Sequence, residues 1–432
     1  MDLKKMLGFD SQTMNIKTEI VAGITTFLSM TYILAVNPEI LSAAGMDKGA
    51  VFTATALASA IATLLLAFMA KMPFAQAPSM GLNAFFAYTL VIGMGYQWET
   101  ALAAVFVEGI IFILLTAFNI REKVVDCIPA SLRYAISAGI GMFIAFIGLK
   151  NAGIIDANPA TFVTLGQFTP SSILAMVGII LSGVLLIKKV KGALFYSIII
   201  CTLAGIPFGI TTIPEDFSLI SMPKSIAPTF MKFDFAGLLS YDMLIIIFTL
   251  VFMDMFNTVG TLIGTATKAN MMDSEGKLPR MKEAMMADAI GTSVGAVLGT
   301  STVSTYVESA LGIAEGGRSG LTALVVGLLF IFSLFFAPIF LLIPAAATTG
   351  ALVIVGVLMM ESIKHIELDD ISEALPAFIT MMMMVLTYSI AEGIILGMLC
   401  YVLVKFFSNK RKDIVPSMYV LGALFILKYI LA

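Results

Sequence analysis

Long apolar runs separated by short polar ones set the rhythm of this chain. Windows of roughly 17 to 25 mostly apolar residues, the length a helix needs to cross hydrocarbon, fall at 17–37, 50–70, 74–93, 99–119, 133–152, 172–188 and 192–213. A polar, proline-containing connection over 214–237 follows. The pattern then resumes at 240–266, 282–299, 300–315, 320–342, 345–362, 374–390 and 391–407, with a last apolar piece at 415–431 that either crosses or lies in the interface. Two windows break the pattern most. In the third, Pro78, Ser79, Gly81 and Asn83 interrupt the apolar run; in the tenth, GTSTVSTYVESALGIAEGGRSG (299–320) is rich in Ser and Thr and carries Glu308. Non-helical backbone at bilayer depth survives only when buried in protein or lining a cavity.

The chain is 59% hydrophobic and 12% charged, with a mean hydropathy of +1.01. Soluble domains carry about twice that share of charge, so the expectation is a polytopic membrane protein with the lipid bilayer as partner and no role in binding nucleic acid. The N-terminal stretch is polar for too long to read as a signal peptide. Cys127, Cys201 and Cys400 are scattered and His365 is the single histidine, which argues against a disulfide framework or a Cys/His metal site.

Lysine and arginine test the topology. With Lys4, Lys5 and Lys17 cytoplasmic, alternation of fourteen segments puts Lys71, Arg121, Lys123, Arg133, Lys188, Lys189, Lys191, Lys268 to Lys282, Arg318, Lys364 and Lys410 to Lys412 on the same side. Only Lys48, Lys150, Lys224 and Lys232 face the other. That asymmetry is what the positive-inside rule demands. Seven segments in each half force the halves into opposite orientations, an inverted repeat, and paired broken segments in corresponding positions point to a transporter's binding site.

An ionisable residue at bilayer depth is a functional-site hypothesis by default, which singles out Glu308. Asp254, Asn257 and Thr261 follow one another at spacings of three and four, on one helical face. With Asn83 these residues supply acids, amides and a hydroxyl that suit a planar heterocycle, since an amide pairs with adjacent N–H and C=O groups and a carboxylate accepts two N–H groups. A buried carboxyl can also take up and release a proton as a site opens to either side. Structural alternatives stand beside these roles. Glu308 can cap a half-helix, Asn83 can cap the helical half of segment 3, and Asp254, Asn257 and Thr261 can join helices. Glu108 in VFVEGIIFILL is a second deep acid and a candidate proton-handling group. Asp288 can pin segment 9, Glu392 falls at a turn between segments 13 and 14, and the methionines read as lipid-facing or packing side chains.

The blocks AVNPEIL (35–41), APSMGLNAFFAYT (77–89), DMFNTVGTLIG (254–264), ADAIGTSVGAVLGTSTVSTYVESALGIAEGGRSGLTA (287–323) and PAFIT (376–380) resemble the AzgA-type purine permeases of the nucleobase-ascorbate transporter superfamily. The resemblance implies an all-α polytopic fold of fourteen segments in two inverted repeats of seven, with short strands in segments 3 and 10, as in the uracil permease. It implies core regions at 1–126 and 236–344, gate regions at 127–235 and 345–432, and proton-coupled purine uptake across the plasma membrane, often as a homodimer. No cofactor beyond the proton is implied, and no enzyme activity. Carried over residue by residue, the substrate site comprises Glu308, Tyr306, Val307, Asn257, Asn83 and Leu82, with Glu308 and Asp254 as proton-coupling candidates. Asn257 stands where the family usually has an acid, and Thr261 where the uracil permease has a histidine. Guanine or hypoxanthine is favoured, adenine next. A small-anion transporter or channel on the same fold is the competing expectation.

Overall fold

The computed structural model describes residues 3–118, 129–214, 217–268, 271, 278–416, 418, 419, 422 and 426. The last apolar window, 415–431, lies largely outside them, as do Arg121, Lys123 and Cys127.

Helices fill the apolar windows, and their starts follow from local capping chemistry. In the first window α1 (Ile16–Met30) begins where Asn15 accepts the Lys17 N–H, and α2 (Ile33–Ala43) follows a break at Thr31 and Tyr32. Asp47 accepts the Ala50 N–H to open α3 (Lys48–Met69). Each of these side chains satisfies one of the free N–H groups that every helix start leaves. A short strand, β1 (Gln76–Pro78), leads into α4 (Met80–Ala84), which continues as a π-helix over Phe85–Gly93. Then come α5 (Trp98–Ala117), α6 (Ala130–Asn151), the hairpin strands β2 (Ile155–Asn158) and β3 (Phe162–Leu165), α7 (Pro170–Ile187) and α8 (Ala193–Gly205). The second half holds α9 (Tyr241–Lys268), α10 (Met281–Leu298), β4 (Val303–Thr305), α11 (Ser309–Ala314), α12 (Gly320–Ser333), α13 (Ala337–Leu341), α14 (Ala345–Met359), α15 (Ile371–Leu386) and α16 (Ile390–Phe407).

Among the described residues eight helical stretches are long and apolar enough to cross a membrane, and shorter apolar helices lie at Met80–Gly93, Ala193–Gly205 and Ile371–Leu386. The chain is a predominantly helical, multi-pass membrane protein. Strictly all-α it is not: besides the strands of segments 3 and 10, the hairpin β2–β3 forms a second antiparallel sheet. The connection that holds it, IDANPATFVTL, alternates too weakly to stand out beside the membrane windows.

β1 and β4 pair antiparallel, with Gln76 opposite Thr305, Ala77 opposite Ser304 and Pro78 opposite Val303. The ladder is extended by Ser79 N–H donating to Thr302 O at 2.8 Å and Tyr306 N–H donating to Ala75 O at 3.0 Å. Two strands leave two outer edges, and both are closed by a threonine from a neighbouring helix. Thr63 on α3 accepts the Gln76 N–H at 2.9 Å and donates to the Gln76 carbonyl at 3.1 Å. Thr292 on α10 accepts the Val303 N–H at 3.2 Å and donates to the Val303 carbonyl at 2.8 Å. Unpaired backbone in lipid costs several kcal/mol per group, so this repeated device lets extended chain exist at that depth.

Packing follows two groupings. α10 packs on α3 and α5, and α12 packs on α3 and α1; separately, α14 packs on α6 and α7, and α15 on α6 and α16. Glycines allow close contacts in the second grouping. A Cβ at Gly141 would stand 2.6 Å from the Gly356 carbonyl, so these two backbones approach as small-residue interfaces in membranes do. Met381 and Met384 are buried in that region, packing inward and not facing lipid.

Candidate functional site

Glu308 follows the crossed strands by three residues and occupies the position just before α11, yet its side chain caps nothing. Its Oε1 accepts a hydrogen bond from the Tyr32 hydroxyl at 2.6 Å. Tyr32 is buried at the break between α1 and α2. Among the described residues no lysine, arginine or histidine forms an ion pair with Glu308. Tyr32 is the residue sequence reasoning missed; its one local signal is its place at the end of TTFLSMTY, in the middle of an apolar window.

Tyr306 is buried and donates its hydroxyl to the Pro78 carbonyl at 2.6 Å. Proline has no N–H and β1 is short, so this phenol joins the segment 10 strand to the start of segment 3. Val307, in contrast, leaves its side chain 54% exposed, so any role it has toward a ligand falls to its backbone. Leu82 is buried.

Asn83 does not cap α4. That position belongs to Ser79, whose carbonyl accepts the Asn83 N–H at 2.8 Å. The Asn83 side chain is fully buried, and among the described residues neither its Nδ2 nor its Oδ1 has a hydrogen-bond partner. An unpaired buried polar atom costs about 1–3 kcal/mol, so a wholly unpaired amide is the kind of cost that a ligand would relieve.

Asn257 donates through Nδ2 to Ser304 Oγ at 2.9 Å and lies 3.4 Å from Ser79 Oγ. It therefore touches both broken segments at their crossing. Asp254, expected on the same face, parts company with it: a spacing of three leaves about 60° between side chains, and Asp254 is fully buried against Thr292 of α10, at 3.5 Å. Asp288 does more than pin its helix. It accepts from Gln76 Nε2 at 3.0 Å, Thr258 Oγ1 at 3.0 Å and Thr305 Oγ1 at 3.3 Å, joining α10 to α9 and to both strands. Glu108 accepts from Thr302 Oγ1 at 2.7 Å. Glu392 sits in the first turn of α16, and His365 lies exposed on a 3-10 turn, its ring 5.1 Å from that of Tyr134. The structure thus gathers Glu308, Tyr306 and Asn257 around the strand crossing and sets Asp254, Asp288 and Glu108 on the side of α5, α9 and α10.

A profile described as the Permease family matches residues 17–396. A putative permease of Methanocaldococcus jannaschii is 50% identical over 99% of this chain and 98% of its own. The guanine/hypoxanthine permease PbuG of Bacillus subtilis is 43% identical over 99% of both chains, and the adenine permease AdeP of Escherichia coli 42% over 96% of this chain and 93% of its own. Among solved structures, the transmembrane domain of a cyanobacterial bicarbonate transporter, BicA, superposes with a TM-score of 0.66 at 17% identity, covering 89% of this chain and 98% of that one. At that identity the likeness speaks to fold alone.

Proposed function

The chain belongs to the Permease family, a family of transporters and not of enzymes, and from that premise we propose that it carries purine nucleobases across the plasma membrane, guanine or hypoxanthine ahead of adenine, in symport with protons. The printed activities of the relatives from Bacillus subtilis and Escherichia coli support the substrate class. The observation that carries the reading is Glu308: a carboxylate among membrane segments that pairs with a phenol and with no described cation. A purine offers ring and exocyclic N–H groups to such an acceptor, and an adjacent N–H and C=O to the unpaired amide of Asn83. Asn257, Tyr306, Leu82 and the backbone of Val307 complete the substrate site in this reading.

In the same reading the elements form two inverted repeats of seven segments, with the N-terminus cytoplasmic. Regions 1–126 and 236–344 make a core, regions 127–235 and 345–432 a gate, and the first of the two packing groupings supports the core while the second supports the gate. The core moves against the gate, and the protein works as a homodimer. An anion carrier on this fold is the alternative, and the half-helices α4 and α11 do begin without side-chain caps; but such a carrier would favour a basic residue at the substrate centre, where this chain sets the acid Glu308 instead. Neither 76–93 nor 303–314 contains a lysine or arginine.

The test is uptake of labelled hypoxanthine by cells expressing the chain, competed by unlabelled bases. Guanine and hypoxanthine are expected to compete most strongly and bicarbonate not at all. Glu308→Gln should abolish uptake while membrane abundance holds; undiminished uptake would remove Glu308 from the site.

A further inference from the structure

Three buried carboxyls, Glu108 on α5, Asp254 on α9 and Asp288 on α10, lie near the paired strands, and their hydrogen-bond donors are shared out unequally. Asp288 takes three donors, from Gln76, Thr258 and Thr305, which suits an ionised carboxylate. Glu108 takes one, from Thr302 on its Oε2, and its Oε1 has no partner among the described residues. Asp254 takes none that is not already spent. Its neighbour, the Thr292 hydroxyl, is 3.5 Å from Asp254 Oδ2 but 2.8 Å from the Val303 carbonyl, and a hydroxyl has one hydrogen to give. Asp254 Oδ1 has no partner either. A third orphan sits beside them. The Gln76 amide donates to Asp288, yet its own buried carbonyl oxygen, Oε1, is unpartnered among the described residues.

Three orphaned acceptor oxygens in one buried region lack a donor, and the smallest donor that repairs them is a hydron. Placed on a carboxyl oxygen, it turns an acceptor into an O–H that can bond to a neighbouring acceptor. No set of three or more His, Cys, Asp or Glu side chains among the described residues converges as metal ligands, which argues against a multivalent cation. Nor does any described basic group form an ion pair with the three carboxyls. On α3, Lys48 is engaged by Glu39 at 2.6 Å; on α10, Lys282 donates to the Ala117 carbonyl at 3.2 Å and Glu283 lies in the first turn. Glu99 and Asp242 lie in the first turns of α5 and α9, and Tyr88 of the π-helix takes a hydrogen bond from Asn151.

We propose that Glu108 and Asp254, anchored beside the fully bonded Asp288, form a proton-holding site on the α5–α9–α10 side of the strands, separate from Glu308. This rests on the transport reading and deepens it. Thr302 and Thr305 of segment 10 bond to Glu108 and Asp288, and the same strand runs directly into Tyr306, Val307 and Glu308. Adding or removing a hydron on Glu108 changes what Thr302 can bond to, so occupancy of the site is passed along β4 to the groups proposed to hold the base. Glu308 binds the cargo; Glu108 and Asp254 hold the coupled proton.

The experiment uses the full chain in proteoliposomes with labelled hypoxanthine and two readouts, counterflow without a gradient and accumulation driven by an inward proton gradient. Glu108→Gln should retain counterflow and lose gradient-driven accumulation at least tenfold, with sodium replaceable by choline in the wild type. Counterflow with undiminished accumulation in Glu108→Gln would overturn the site and leave the transport reading intact. Absence of wild-type counterflow for any purine would sink the transport reading and the site with it, and a sodium requirement abolished by Glu108→Gln would make it a cation site. Should that variant fail to accumulate as folded protein, the wild type compared with a second variant still decides. Infrared difference spectra on adding hypoxanthine should show a protonated-carboxyl band that Asp254→Asn removes; a band untouched by Asp254→Asn would overturn the assignment.

Discussion

The Tyr32 hydroxyl donates to Glu308 Oε1 at 2.6 Å, joining residues 276 positions apart in the chain. The bond ties the break between α1 and α2 to the end of the segment 10 strand. It holds the Glu308 carboxyl through one oxygen, and in the proposed reading the remaining acceptor sites serve the base.

Tyr32→Phe keeps the ring and removes the donor. A hydrogen bond to a charged group contributes about 1.5–3 kcal/mol, so hypoxanthine affinity is expected to fall roughly tenfold to a hundredfold. Uptake kinetics at matched expression would check this, with the loss in KM more than in maximal rate. An unchanged KM would mean that Tyr32 does not orient the carboxylate for the substrate.

Asn257→Asp tests the crossing itself. Asn257 now donates to Ser304 and lies beside Ser79; an aspartate cannot donate when ionised, but both serine hydroxyls can turn and donate to it. The protein is therefore expected to fold and transport, with the pH profile of uptake shifted because a titratable group has entered the site. A profile superimposable on wild type would place Asn257 away from the coupled proton.

Away from the membrane segments and half-buried, Asp370 caps α15 and meets the Lys410 ammonium at 2.5 Å. That ammonium, with the hydroxyl and N–H of Ser372, holds the carboxyl well below the usual carboxylate range. A carboxyl depressed on folding contributes stability that is present above its unfolded value, about 3.9, and is lost only as pH falls through the folded one. Asp370→Asn should therefore lower the melting temperature in detergent by the same amount at pH 5.5 and pH 7.5. A difference between those two values would show that the pair titrates near neutrality and would compete with the buried acids as a source of pH dependence.

Much of this was legible in the sequence because membrane insertion leaves a strong imprint. Apolar windows marked the helices, and the interruptions at Pro78 to Asn83 and at 300–308 marked the two broken segments, while the short strands within them, at 76–78 and 303–305, came from the family resemblance. Glu308 stood out for the same reason. What stayed hidden was long-range partnership. Tyr32 looks like any aromatic in an apolar run, and Gln76, Thr63 and Thr292 gain meaning only once the strands cross and their edges need closing. Asp254 and Asn257 looked like one face because a spacing of three brings side chains close without making them coincide; which neighbour each meets was decided by α10 and the strands. The β2–β3 hairpin was missed because a short connection carries no membrane signature.

The threonine-closed strands have a mechanical corollary. Each interrupted segment completes its main-chain bonding on the other, and each is riveted to its own long helix by one hydroxyl, so neither can slide without shearing the ladder. In the proposed reading, a base gripped between them rides with both as freight on a single carriage, and the sliding seam lies elsewhere, between the two packing groupings.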